Sequence, residues 1–283
     1  MTARRRLWYA VRGMRTTWVT TMLRLSGIVA GASLVSVLGL FAFLAVAPFD
    51  DLMAASNQIG NYLQTVGGIY AVLLAFVVYV VWGQFDAARA LVDREATALV
   101  DLHRTASGLP AATRDEIQRG LRDYVDAVLK DEWRAMEKGD EATMARVGEA
   151  LDHVWVAIHR CRPESDCQQT IYGEVLSRFN DLTDLRTGRL TSSRQRIPMG
   201  MKVLLYAGAV IMVGSTYLLV FEKLWIHSLV VAALSGAIAH ILFLSVDLDD
   251  PFSGRWQIGH SPFLRTRKAF DRATHLIDAE AAE

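Results

Sequence analysis

Three carboxylates follow the last long apolar run of the sequence. Asp247, Asp249 and Asp250 lie in the stretch VDLDDPFSGRW, residues 246–256, with no spacer between that run and the first acid. Ca²⁺ takes about 6–8 oxygen ligands, which three carboxylates, backbone carbonyls and water could supply. The acids could instead form a ring that attracts cations, or ion pairs with nearby bases, and we expect the ion pairs. The candidate bases are Arg186, Arg189, Arg194, Arg196 and Lys202.

Two other ionisable side chains lie among apolar ones. Glu95 shares an apolar helical stripe with Leu91 and Leu99. Because an unpaired buried charge is costly, we expect this carboxylate to pair with an arginine or to be protonated; a functional role is the alternative. His240 lies inside the last apolar run, where ionisable side chains usually face a protein interior or a wet cavity. A hydrogen bond to a neighbouring helix is the other interpretation of His240.

Motifs of catalysis are absent from the sequence. It contains no Gly-rich phosphate loop, no G-x-S-x-G and no H-E-x-x-H. Cys161 and Cys167, with His159 alone beside them, form a poor zinc site, and we interpret them as loop thiols. No segment is both basic and aromatic, as a nucleic-acid surface would be. The sequence therefore favours a protein that is not an enzyme, with no cofactor beyond the calcium considered above and no nucleic-acid partner.

Four stretches are long and nearly free of charge, in a chain that is 52% hydrophobic: residues 26–48, 66–82, 203–221 and 224–246. At about 1.5 Å of rise per residue, helices of this length reach about 26–35 Å, which matches a hydrocarbon layer of about 30 Å. A soluble bundle would need polar residues on one face of each helix, and these stretches lack them. The sequence therefore predicts an all-α integral membrane fold with four transmembrane helices in two hairpins.

The flanking charges predict the orientation of these spans. Residues 1–24 hold six arginines and no acid, whereas residues 49–65 hold two acids and no base. Lys and Arg favour the cytoplasmic side, so we expect both termini in the cytoplasm. The six arginines are Arg4, Arg5, Arg6, Arg12, Arg15 and Arg24.

The resulting organisation has five parts. They are a basic cytoplasmic N-terminus (1–24), a transmembrane hairpin (25–83), a cytoplasmic α-helical domain (84–201), a second hairpin (202–246) and a cytoplasmic C-terminal segment (247–283).

The helical domain divides at turn residues. The apolar stripe of the second span continues to Gly108 and Pro110. A new helix is expected from Thr113, where Glu116 completes a capping box, and it ends at Gly139. Two more helices are expected at about 141–160 and 167–191.

Small residues recur at helical spacing in two spans. Gly27 and Gly31 form a GxxxG in the first, and Ala232, Gly236 and His240 recur every four residues in the fourth. Small residues let helices approach closely in lipid. Packing within one subunit and packing between subunits are both open.

The second span carries an apolar stripe. Tyr70, Leu74, Val77 and Val81 fall near one face of a helix. If several copies surround an axis, a ring of apolar side chains gates a pore by dewetting. The prediction is that these four side chains line a passage.

The order of these features resembles the bestrophin-like family. The resemblance rests on the two hairpins, the long helical domain, the run EATALVDLHRTASGLP after the second span, the pair Glu132 and Trp133, and DPFSG after the fourth span. It extends over residues 25–265. Within this range the chain is similar to bacterial membrane proteins with a bestrophin-like domain.

The resemblance implies a pentameric anion channel in a bacterial inner membrane, with a neck formed by the second span from Tyr70 to Val81. In animal bestrophins an acidic cluster after the fourth span binds calcium, and its counterpart by position is Asp247, Asp249 and Asp250. In the calcium-binding pattern the acids follow the Pro-Phe-Gly turn, whereas here they precede it.

The sequence and the resemblance together predict an oligomeric ion channel that passes small anions through a central apolar neck. Its partners would be the lipid bilayer, small inorganic ions and copies of itself. The alternative is a non-conducting membrane scaffold or signalling protein whose helical domain binds a partner.

Overall fold

The computed structural model describes residues 3–254 and 256–280, and the side chains of residues 23–48, 52–55, 57–254 and 256–273. Five of the six N-terminal arginines lie outside the described side chains. The regular elements of this part of the chain are helices. They are α1 (Ala3–Leu44), α2 (Phe49–Ala54), α3 (Ser56–Thr105), α4 (Ala111–Ala127), α5 (Trp133–Lys138), α6 (Glu141–Arg160), α7 (Asp166–Ser192), α8 (Met199–Tyr217), α9 (Leu224–Leu248) and α10 (Ser261–Glu280).

The chain divides into two compact units. The membrane unit comprises residues 1–82 and 197–247, and the helical unit comprises residues 83–196 and 248–283. The helix α3 contributes residues to both units. Its 50 residues correspond to about 75 Å at 1.5 Å per residue.

The membrane unit contains four helical stretches that are long and apolar enough to cross a bilayer. They begin at Leu23, Asn57, Met199 and Leu224. The prediction of an all-helical membrane fold with four spans is confirmed. The third span begins at Met199, four residues before the predicted start, because Pro198 has extended backbone and the helix begins directly after it.

The helical unit is built around one apolar core. Buried side chains from α3, α4, α6, α7 and α10 meet there, among them Leu99, Leu121, Val154 and Leu182. Each helix buries an apolar stripe at the 3.6-residue period, and most of its charged residues lie outside that stripe. Burial of this apolar surface is the main favourable contribution to folding of the unit.

Helix boundaries in this unit follow local backbone chemistry. Gly139 has φ 69°, a left-handed conformation that ends α5. The carboxylate of Asp140 then accepts hydrogen bonds from the backbone N–H of Thr143 at 3.1 Å and from its hydroxyl at 2.7 Å, which caps α6. The predicted break at this position is confirmed.

The predicted capping box at Thr113 is wrong. Helix α4 begins at Ala111, and its N-cap residue is Pro110, which makes no side-chain cap. Proline fixes φ near the helical value and holds the preceding chain extended, so the helix starts two residues before the threonine. Thr113 therefore lies inside the first turn.

Some elements were not predicted. A π-helical turn, Val128–Glu132, joins α4 to α5. Helix α10 follows the DPFSG turn, and Phe263, Thr266 and Phe270 form its buried stripe. That stripe has the spacing of an amphipathic helix, which was the available signal for α10.

Candidate functional site

The predicted pore-lining face of the second span is buried inside its own chain. Tyr70 and Leu74 are 7% exposed, and Val77 and Val81 are fully buried. The Tyr70 hydroxyl donates a hydrogen bond to the Leu205 carbonyl of α8 at 3.0 Å. A side chain enclosed by its own subunit is not on the surface that a passage between copies would use. These four residues are therefore core side chains of the membrane unit, which corrects the prediction.

The opposite face of the same span is exposed. Val72 is 72% exposed, Phe76 54% and Tyr79 76%. At about 100° per residue, these three side chains lie roughly opposite Leu74 and Val77. This face, here called the outer face of α3, is apolar and available to lipid, to a neighbouring copy or to a passage.

A cluster of four charged side chains lies in the core of the helical unit. Glu95, Glu132 and Arg189 are fully buried, and the Arg186 side chain is 14% exposed. Arg189 Nε donates to Glu95 Oε2 at 2.6 Å, and its Nη2 donates to Glu132 Oε2 at 2.6 Å. Arg186 Nη2 donates to the other oxygen of Glu132 at 2.5 Å. Two carboxylates thus balance two guanidinium groups.

Tyr124 completes this charge cluster. Its hydroxyl donates to Glu95 Oε1 at 2.5 Å. Burial and the Glu95 carboxylate raise the pKa of Tyr124 well above its ordinary value, so the phenol keeps its proton. Burial alone lowers the pKa of Arg189, but Glu95 and Glu132 raise it well above its ordinary value. Tyr124 and Arg189 therefore both keep their protons within the cluster.

The cluster joins four elements of the helical unit. Glu95 comes from α3, Tyr124 from α4, Glu132 from the π-helical turn and both arginines from α7. The expected pairing of Glu95 with an arginine is present. Glu132 was noted in the sequence only as part of a family motif, and its role as the second carboxylate was missed. The available signal was an acid directly before Trp133 in an otherwise apolar stripe.

The three aspartates after the fourth span have different surroundings. Asp250 Oδ2 lies 2.8 Å from Arg196 Nη2, and Asp250 Oδ1 accepts a hydrogen bond from the Ser253 N–H at 3.2 Å. Asp249 is buried and Asp247 is half-buried. The predicted pairing is thus present at Asp250 and Arg196.

Three of the other candidate bases have different partners. Arg186 and Arg189 bind the carboxylates of the charge cluster, and Arg194 lies 3.3 Å from Glu141. Their expected pairing with the aspartates was wrong, because buried carboxylates within the helical unit were not recognised in the sequence.

The aspartates do not fit a calcium site. Both oxygens of Asp250 are engaged, one by a guanidinium group and one by a backbone N–H. Among the described side chains, no three His, Cys, Asp or Glu residues converge as metal ligands. No step of function is therefore assigned to calcium.

The turn after Asp250 is anchored by aromatic packing. Phe252 is fully buried and meets the Trp133 ring edge-on, with centroids 5.7 Å apart. Trp133 also contacts Phe263 of α10 and donates through Nε1 to the Ile258 carbonyl at 3.2 Å. The Arg189 guanidinium lies 5.7 Å from the Trp133 ring centroid, a cation–π distance. The DPFSG segment is thus bound to the charge cluster through one tryptophan.

The small residues of the spans fall into two groups. A Cβ at Gly236 would lie 2.9 Å from Ser33 Oγ, and that hydroxyl donates to the Ala232 carbonyl at 2.9 Å. Gly236 and Ala232 therefore pack within the subunit. A Cβ at Gly27 or Gly31 would meet no atom of another helix within 4 Å. His240 is exposed, so it does not face the interior of its own subunit.

Cys161 is buried at the end of α6, and Cys167 is exposed at the start of α7. Both are free thiols in the structure.

The geometry defines an all-helical integral membrane protein with four spans and a separate helical unit. Residues 28–263 match the family model described as Bestrophin-like domain, and the chain belongs to the bestrophin-like family. The resemblance noted from the sequence is confirmed. No protein of curated function matches the sequence significantly.

Solved structures share this fold at low sequence identity. A bacterial bestrophin homolog from Klebsiella pneumoniae, carrying one substitution, is 16% identical with a TM-score of 0.66, and the match covers 89% of this chain and 99% of that one. The same homolog, phased with zinc, has 16% identity, a TM-score of 0.64 and coverage of 88% and 97%. A structure described as a membrane protein has 15% identity, a TM-score of 0.65 and coverage of 87% and 97%.

Proposed function

We propose that the protein is a subunit of an oligomeric ion channel in a bacterial inner membrane. Copies of α3 surround a central passage, and the outer face of α3 lines its narrow part. Membership of the bestrophin-like family supports a channel. The observation that carries the assignment of the lining is the exposure of Val72, Phe76 and Tyr79, while the opposite face of the helix is buried against its own subunit.

The chemistry of this face suits a gate that excludes water. Side chains such as Val72 and Phe76 offer no hydrogen bond to an ion's hydration shell, so a narrow ring of them favours a dry state. An ion passes when the ring widens or becomes hydrated. We propose anions as the permeant species, with the N-terminal arginines concentrating them at the cytoplasmic mouth.

A buried ion pair fixes the continuation of α3 within the helical unit. Glu95 lies on the same continuous helix as the outer face, and its bonds to Arg189 fix that part of α3 to α7. We propose that both termini and the helical unit are cytoplasmic and that the assembly is a pentamer, as the family resemblance implies.

Flux measurements test the proposal. The purified protein is reconstituted in liposomes, and chloride efflux is compared with sodium efflux. We expect chloride efflux and a several-fold increase for Phe76→Ala, because the change removes apolar bulk from the ring. Leu34→Ala is the control, since Leu34 is 61% exposed and lies on a different helix, α1. Absence of flux from a correctly assembled oligomer would favour the scaffold instead. Equal effects of both variants would show that the outer face does not line the path.

A further inference from the structure

The face of α9 that bears His240 is exposed among the residues whose side chains the structure describes. His240 is exposed and forms no hydrogen bond within the described part of the chain. It lies eight residues before the end of α9 at Leu248, about 12 Å along the helix axis. Ionisable side chains at such depth rarely face lipid and normally find a polar partner. We therefore expect this face to pack against a group that forms a hydrogen bond with His240.

The shape of this face suits another helix. Leu229, Ala233, Ala237 and His240 are all exposed and follow one another at intervals of four, four and three residues. They form one stripe along α9, here called the His240 stripe. Its two alanines allow close approach of a neighbouring backbone, which stabilises helix pairs in lipid.

A complementary groove lies on another side of the same membrane unit. It has a volume of about 400 Å³ between α1, α8 and α9, and its lining includes Ala32, Gly39, Gly214, Ile238 and Leu242. At about 100° per residue, Ile238 and Leu242 point away from the His240 stripe. The groove and the stripe are therefore distinct surfaces of one subunit.

The groove offers no unmet hydrogen bond along most of its length. The Tyr217 hydroxyl donates to the Ser36 carbonyl at 2.7 Å, and the Ser235 hydroxyl donates to the Val231 carbonyl at 2.7 Å. Its occupant must therefore be largely apolar, as the leucine and alanines of the His240 stripe are.

One polar side chain lies beside this groove at the depth of His240. Tyr206 is 49% exposed, one turn before the groove residue Val210. It lies seven residues from the start of α8, about 10 Å along the helix. The short connection between α8 and α9 puts that start and the end of α9 on the same side of the bilayer. Tyr206 and His240 thus lie at nearly equal depth on different faces.

We infer that the His240 stripe of one subunit packs in the groove of the next, where His240 forms a hydrogen bond with Tyr206. Because the two surfaces differ, the contact is heterologous and repeats around a closed ring. The inference rests on the proposed oligomer and names the contact that builds it. Phenol and imidazole each donate and accept, so the pair is satisfied without a charge in the hydrocarbon.

Cross-linking in native membranes tests the contact directly. Full-length protein carrying Cys167→Ser receives Tyr206→Cys and His240→Cys together, and a short thiol-reactive cross-linker is added. We expect a ladder of covalent dimers, trimers and higher species up to the ring. Each single cysteine variant should give no ladder, because a heterologous contact joins two different positions. The matched control is Leu204→Cys with His240→Cys, since Leu204 is 53% exposed on the opposite side of α8.

The hydrogen bond has its own test in the purified oligomer. Tyr206→Phe leaves His240 without a hydrogen-bond partner in the hydrocarbon. We therefore expect the oligomer to dissociate into subunits at a several-fold lower detergent concentration. Combining Tyr206→Phe with His240→Leu removes both partners and should restore much of the resistance, since paired removal leaves no unsatisfied group.

The outcomes separate the inference from the channel proposal. An intact ring with flux but no ladder, or a ladder only from the Leu204 pair, overturns this contact and leaves the channel standing. An acyl chain bound in the groove would give the same result. A monomer in membranes overturns both.

Discussion

Arg189 Nε lies 2.6 Å from Glu95 Oε2, and both side chains are fully buried. The two residues are 94 positions apart in the chain, so their bond joins α3 to α7 across the core of the helical unit. Glu132 holds the same guanidinium group from the π-helical turn. A single arginine thus fixes three elements, and its removal has a predictable cost.

Arg189→Ala should destabilise the helical unit by about 3–5 kcal/mol, because it leaves two carboxylates buried without their shared partner. The full-length protein in detergent should show a much lower melting temperature or fail to give a monodisperse oligomer. Arg178→Ala is the control, since its pair with Glu174 is 35% and 52% exposed and is worth about 0–1 kcal/mol. Similar melting temperatures for the two variants would contradict the assigned role of the cluster.

His103 should make the helical unit sensitive to acid. Burial, then the charges of Arg122 and Arg104, lower the pKa of His103 to about 4. Its ring stacks on Phe270 of α10 with centroids 4.3 Å apart. The unfolded chain binds a proton near pH 6.5 and the folded chain does not, so stability falls as pH drops from about 6.5 to about 4.

The contribution of His103 to this loss is on the order of 3 kcal/mol at the acid end. Melting temperature measured against pH should show a shallower acid slope for His103→Phe than for the unchanged protein. His153→Phe, which alters an exposed histidine, is the control. Parallel slopes for all three proteins would show that His103 titrates normally.

Calcium should not stabilise the protein. Arg196 and the Ser253 N–H already occupy the two oxygens of Asp250. Melting temperatures in millimolar Ca²⁺ and in a chelator should therefore agree. Asp250→Asn should cost less than about 1 kcal/mol, because it weakens one half-exposed ion pair. A calcium-dependent rise in melting temperature that disappears in Asp250→Asn would restore the metal site.

Two glycines should respond to alanine with opposite signs. Gly139 has φ 69°, and an L side chain there is strained, so Gly139→Ala should cost about 1 kcal/mol. Gly173 lies inside α7 with open space around it, and Gly173→Ala should stabilise by about 0.5–1 kcal/mol. Thermal unfolding of the two variants measures the difference. A loss of stability in both would mean that the Gly173 backbone has a role beyond helix formation.

The spans could be predicted from the sequence because hydrocarbon thickness imposes both length and composition. The sequence could not predict which side of the second span is buried and which is exposed. Val72 and Phe76 on its exposed side have the same apolar character as Leu74 and Val77 on its buried side. The two faces differ in their position relative to α8, where the Leu205 carbonyl accepts a hydrogen bond from the Tyr70 hydroxyl.

The charge cluster, too, could be predicted only in part from the sequence. A carboxylate on an apolar stripe indicates that a base lies opposite, so the need of Glu95 for a partner could be inferred. The identity of that partner depends on how α7 packs, and five bases of similar type lie within residues 186–202. The capping box at Thr113 failed for a local reason, since the proline three residues earlier determined where the helix starts.

The π-helical turn at Val128–Glu132 sets the register of everything that follows it up to Lys138. Deleting one residue from this turn would give a smoother, more regular helix, yet it would rotate Trp133 by about 100° relative to α4. Glu132 would no longer point toward Arg189, and Trp133 would no longer pack against the DPFSG segment. The irregular winding of this turn is therefore as necessary to the alignment of the interior as the buried arginine that it positions Glu132 to meet.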